Sequence, residues 1–110
     1  MLGGGADGRI TLVLPLPNIA DGYRTFIADP FEQFCAQRRL EAEDLQLLAI
    51  YHSHPEGGLD PSHEDLVYAT RWSCAHLIVA VSTVGQSRER FRAFRCTRTG
   101  SISEVEIRLQ

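Results

Sequence analysis

Apolar residues fall into short runs separated by Gly, Pro and acidic residues, and the spacing within the runs changes along the chain. Ile10, Leu12, Val13, Leu14 and Leu16 stop at Pro17-Asn18, which predicts a strand over Arg9 to Leu16 ending in a turn. Gly3 to Gly5 before it read as a flexible loop. Asp29-Pro30 offers an N-cap and a favoured first helical residue, with Glu32 at the third position, so a helix is expected from Pro30 to about Arg39. Phe31, Phe34, Cys35 and the stem of Arg38 share one face of it at the 3.6-residue period, as in a helix that covers a core. Glu41, Glu43 and Asp44 follow as a solvated turn.

Leu45 to Ser53 reads LQLLAIYHS, a nearly continuous apolar run that predicts a central strand buried on both faces. It ends in His-Ser-His-Pro, so His52 and His54 belong to the carboxyl end of that strand. EGGLDP, residues 56 to 61, is a Gly/Pro turn, after which Ser62 is placed as the N-cap of a helix running to about Trp72. Three further strands are expected over His76 to Thr83, Arg88 to Cys96 and Ile102 to Leu109, the last two joined by a hairpin turn at Thr99-Gly100. There is no repeat, low-complexity tract or second hydrophobic unit, and the pattern reads as a single α/β domain over residues 1 to 110.

With 44% apolar residues the chain can bury a core, and no run approaches the roughly 20 residues that cross a bilayer. The opening MLGGGADGR lacks the form of a secretory signal, so a soluble cytoplasmic protein without a membrane partner is expected. Cys35, Cys74 and Cys96 are widely spaced with no CxxC pair, which suggests buried apolar residues and neither a disulfide framework nor a thiolate metal site. A net charge of -3 argues against nucleic acid as a partner. Basic residues, all Arg, are concentrated late: 7 Arg against 3 Glu over residues 71 to 110, compared with 4 Arg against 11 acidic residues before them. That hairpin region could meet an acidic partner, or Arg88, Arg90, Arg92, Arg95 and Arg98 could line the solvated face of a strand.

On a strand, His52 and His54 project to the same side, about 6 to 7 Å apart at the backbone. A hydrolytic zinc site takes three N or O ligands and leaves a place for water. Ten residues separate His54 from Asp65, enough for a loop to turn back and start a helix whose first turn faces the strand end, so Asp65 is the natural third ligand. Ser62 lies one helical turn before Asp65, where its hydroxyl could cap the helix, donate to an oxyanion, or do both. Each residue alone would also suit an exposed strand end or a charge favoured by the helix dipole. The joint pattern points to metal. His63 is expected at the surface, His76 as a satisfied edge histidine, and Tyr68 and Trp72 in the core.

HSHPEGGLDPSHED, residues 52 to 65, resembles the His-x-His, ten residues, Asp signature of the JAMM (MPN-plus) metalloproteases. PLPN, the helix after Asp29-Pro30, the AIYHSHP strand and the terminal hairpin extend the likeness to small prokaryotic members over nearly the whole chain. The resemblance implies a mixed sheet packed by helices, similar to the cytidine deaminase fold, with one zinc held by His52, His54 and Asp65 and with Ser62 assisting the oxyanion. It implies hydrolysis of a peptide or isopeptide bond at the C-terminus of a ubiquitin-like or sulfur-carrier protein.

The family also uses a glutamate from an early strand as general base. MLGG, residues 1 to 4, resembles the end of that strand, which would place the glutamate just before Met1 and leave the family's first helix and most of its first strand outside these residues. An unpaired sheet edge near Gly3 to Leu16 would then favour a homodimer. Two alternatives are a silent binding module of the same fold and a RadC-like protein, although HSHP is closer to the peptidases than to HNHPSG.

Overall fold

The computed structural model describes residues 1–17, 28–54, 58–80 and 91–108. They form β1 (Leu2–Gly4), β2 (Ile10–Val13), α1 (Pro30–Ala42), β3 (Gln46–His54), α2 (His63–Ala69), β4 (Ala75–Ala80), β5 (Phe91–Cys96) and β6 (Ile102–Val105). The strand order in the mixed sheet is β2-β1-β3-β4-β5-β6, which makes the histidine-bearing β3 a central strand as expected. The chain divides into two compact units, Met1–Ile50 and Tyr51–Gln110.

In the first unit β1 pairs antiparallel with β2 and with β3, placing Gly3 opposite Leu12 on one side and Leu47 on the other. Gly3 and Gly4 are therefore not part of a flexible loop but of the strand that the likeness of MLGG implied, and the loop begins at Gly5. Gly3 and Gly4 are buried strand residues, and a Cβ on Gly3 would stand 2.2 Å from the Leu40 side chain of α1. The missing side chain is what lets the helix sit this close to the strand. Because β1 is paired on both sides, the edge strand on this side of the sheet, among the described residues, is β2.

Asp29 caps α1 by accepting from the Phe31 amide at 2.9 Å. The helix runs three residues further than the sequence suggested and closes in a Schellman arrangement. Leu45 N donates to Leu40 O, Asp44 N donates to Glu41 O, and Asp44 takes a left-handed φ of 56°. The buried residues of α1 are Ala36 and Leu40. Phe31 and Phe34, expected on the inner face, are 68% and 59% exposed, and Cys35 is exposed with them. The face predicted to cover a core is thus turned to solvent, and Ala36 with Leu40 forms the buried side instead.

In the second unit β4 pairs antiparallel with β5, and β5 with β6. Residues 98–100 form a three-residue hairpin loop with Gly100 at φ 90°, the left-handed place such a turn gives to glycine. Ala69 of α2 packs with Ile78, Phe94 and Cys96, and Leu59 and Leu66 close the cluster. Cys74 and Cys96 are buried as expected. In β3 only Ala49 and Ile50 are buried, so the apolar run does not mark a strand covered along its full length. Residues 81–90 and 109, where parts of the three late strands were expected, lie outside the described residues.

Candidate metal centre

Alternation along β3 turns His52 and His54 to one side, and their rings meet with centroids 4.9 Å apart. The chain then returns through Gly58 to Pro61 and starts α2 at Ser62, whose side chain accepts from the Asp65 amide at 3.1 Å. Asp65 Oδ2 in turn accepts from the Ser62 amide at 2.8 Å, which completes a reciprocal capping box. The local reason for a helix here, a Ser-x-x-Asp cap, is thus also the device that points the Asp65 carboxylate back toward the strand end.

His52 Nε2 lies 3.0 Å from Asp65 Oδ1, His54 Nε2 lies 3.0 Å from Asp65 Oδ2, and the two Nε2 atoms are 3.1 Å apart. His54 Nδ1 is 3.0 Å from the Gly58 carbonyl, which can only accept, so Nδ1 carries the proton and a neutral His54 presents a bare lone pair at Nε2. That lone pair faces a carboxylate oxygen and a second imidazole nitrogen. Acceptors crowded in this way repel one another unless a cation or a proton lies among them. A proton on His52 Nε2 could bridge only part of the cluster, whereas one cation would take a lone pair from all three residues.

The donor set of two imidazoles and one carboxylate, with all ligand atoms within 4.8 Å of one another, suits a borderline divalent ion such as zinc. The His54 to Gly58 contact is the outer hydrogen bond that commonly orients a metal-ligating imidazole. Side-chain exposures of 11% for His52, 21% for His54 and 13% for Asp65 make the cluster largely but not fully buried.

Burial alone would push the Asp65 carboxyl up. The hydrogen bond from His52 and the Ser62 amide outweigh it, and hold Asp65 well below the usual carboxylate range. It is a fixed anion at any ordinary pH. The Ser62 hydroxyl spends an acceptor position on the Asp65 amide and keeps its own hydrogen, so both readings of Ser62 are compatible with one geometry.

His63 is exposed, as expected. His76 is not the satisfied edge residue that the sequence suggested. It is 2% exposed within β4, edge-on to Tyr68 at 6.2 Å and stacked on Phe94 at 5.7 Å, and its Nε2 has no partner among the described residues. Burial pushes its pKa down to about 4, the nearby His52 adds to this, and a hydrogen bond with the Ala69 backbone opposes it. Tyr68 and Trp72 are half-buried and pack on each other at 6.3 Å.

A family profile described as prokaryotic homologs of the JAB domain matches residues 1–97. A Thermus thermophilus protein named "Probable TtuB-protein conjugate cleaving protease" is 44% identical over 77 residues, 69% of this chain and 51% of that protein. A Pyrococcus furiosus protein named "Desampylase" is 30% identical over 103 residues, 94% of this chain and 69% of that protein. This chain thus spans about half the length of the first relative. The solution structure of a Desulfitobacterium hafniense protein superposes with a TM-score of 0.75 at 28% identity, covering 99% of this chain and 75% of that one.

Proposed function

The chain belongs to the family of prokaryotic JAB-domain homologues, and on that premise we propose that it is a zinc-dependent hydrolase of peptide or isopeptide bonds. Its substrate in this reading is a conjugate or precursor cut at the C-terminus of a ubiquitin-like or sulfur-carrier protein. The observation that carries it is the convergence of His52, His54 and Asp65 on one point, with the lone pair of His54 aimed inward. The names of the two relatives, a conjugate-cleaving protease and a desampylase, support the choice of bond and of a ubiquitin-like partner.

When bound, zinc would supply Lewis acidity, polarising a carbonyl and acidifying water. His52, His54 and Asp65 would hold it, and the anionic Asp65 would offset part of its charge. The Gly58 carbonyl keeps His54 in the tautomer that can serve as a ligand. Ser62, fixed by its cap contact, offers its free O–H to the oxygen of a scissile carbonyl as negative charge develops there.

The test is a metal analysis joined to a cleavage assay. The purified protein should contain about one zinc per chain and release a ubiquitin-like modifier from a C-terminal fusion, and His54→Ala should lose both. A metal-free wild type, or turnover that survives chelation, would refute the reading.

A further inference from the structure

Arg92 stands two residues before the buried Phe94 on β5, and it emerges where the chain enters α2. Its Nε donates to Glu104 Oε1 at 2.8 Å, its Nη2 donates to the same oxygen, and its Nη1 donates to Asp60 Oδ1 at 3.0 Å. Asp60 is two residues past Gly58, whose carbonyl sets the His54 tautomer, and two residues before Ser62, whose amide holds Asp65. We infer that the Glu104-Arg92-Asp60 chain is a positioning device for the metal centre: it pins the middle of the loop whose two ends orient His54 and Asp65.

The neighbouring Leu59 also holds this loop, by packing on the Ala69, Ile78, Phe94 and Cys96 cluster. Apolar contact is non-directional and leaves the loop free to rotate about that anchor. A guanidinium held on one side by Glu104 presents Nη1 in a fixed direction, and so sets the rotation that Leu59 leaves open. Arg92 touches neither a ligand nor a reacting atom, so it acts through the loop. Asp60 is fully exposed and the trio borders a groove of about 560 Å³, so water screens the pair and the effect is modest.

This inference rests on the metal reading above, and its test separates the two. Zinc affinity is measured by competition with a chromogenic chelator for wild type, Arg92→Ala, Asp60→Ala, the double variant and Arg92→Lys, with a thermal melt of each. Arg92→Ala and Asp60→Ala should each weaken zinc about three- to fivefold at little change in melting temperature, the scale of an exposed ion pair. The double variant should be no worse than either single one, because the two residues act through one bond. Arg92→Lys, which keeps the charge and loses the fork, should recover part of the affinity. With cobalt in place of zinc, the visible bands of Arg92→Ala should shift at saturation, which a general loss of stability would not produce. Unchanged affinity and spectra in the single variants, or losses that add in the double variant, overturn the positioning role alone. A wild type that binds no zinc overturns the metal reading together with it.

Discussion

Replacing His76 with leucine should flatten the dependence of stability on acid. The folded chain keeps this imidazole 2% exposed, with its pKa at about 4 against an ordinary 6.5, whereas the unfolded chain protonates it freely. Below pH 6.5 the unfolded state therefore binds a proton that the folded state refuses, and stability falls as the pH drops from 6.5 toward 4. Each pKa unit is worth about 1.36 kcal/mol, so the full difference approaches roughly 3 kcal/mol and about 2 kcal/mol of it is lost between about pH 7 and about pH 5. For a domain of this size that is a fall in melting temperature on the order of 8 °C. The assay is a series of melts of wild type and His76→Leu between about pH 7.5 and about pH 4.5, with chelator present so that metal does not contribute. Altered packing in the variant shifts its whole curve, but the difference in slope belongs to the titration. Parallel curves would show that residue 76 takes up a proton in the folded protein as readily as in the unfolded one, and the argument from burial would fail.

Ser62→Ala should cost about 1 kcal/mol of stability through the lost cap and reduce turnover by about 10²- to 10³-fold through the lost oxyanion donor, while zinc content stays near one; loss of zinc without loss of rate would contradict these roles. Gly4→Ala should prevent normal folding or lower the melting point steeply, because its Cβ would stand 1.9 Å from the Arg9 carbonyl, whereas Gly58→Ala meets nothing within 4 Å and should leave the melt almost unmoved.

The meeting of His52, His54 and Asp65 was legible in the sequence because its geometry is local. Two residues of strand alternation bring His52 beside His54, and a Ser-x-x-Asp cap turns Asp65 toward them; neither step depends on distant packing. The elements α1, β3 and α2 were visible for the same reason, through caps and apolar runs. What escaped depends on partners remote in sequence. Gly3 and Gly4 carry no side chain to announce a strand, so only the family likeness of MLGG pointed to one; it forms because β2 and β3 pair with them and Leu40 occupies the space beside Gly3. Periodicity placed Phe31 and Phe34 together on α1, but which stripe faces inward depends on the strands packed against it, and it is Ala36 and Leu40 that are buried. His76 looks like any strand-opening histidine until Tyr68 and Phe94 are seen to enclose it. The link from Arg92 to Asp60 spans 32 residues and leaves no mark in local spacing.

Asp65 has two duties on one carboxylate, since the oxygen that faces His54 also receives the Ser62 amide. The first turn of α2 therefore cannot fray without disturbing the candidate ligands, and an ion seated there would resist fraying in return. Occupancy and helix opening become a single equilibrium, so the deuterium-exchange rates of the Asp65 and Leu66 amides, both bonded to Ser62 oxygens, would serve as a gauge of how much of the protein is loaded.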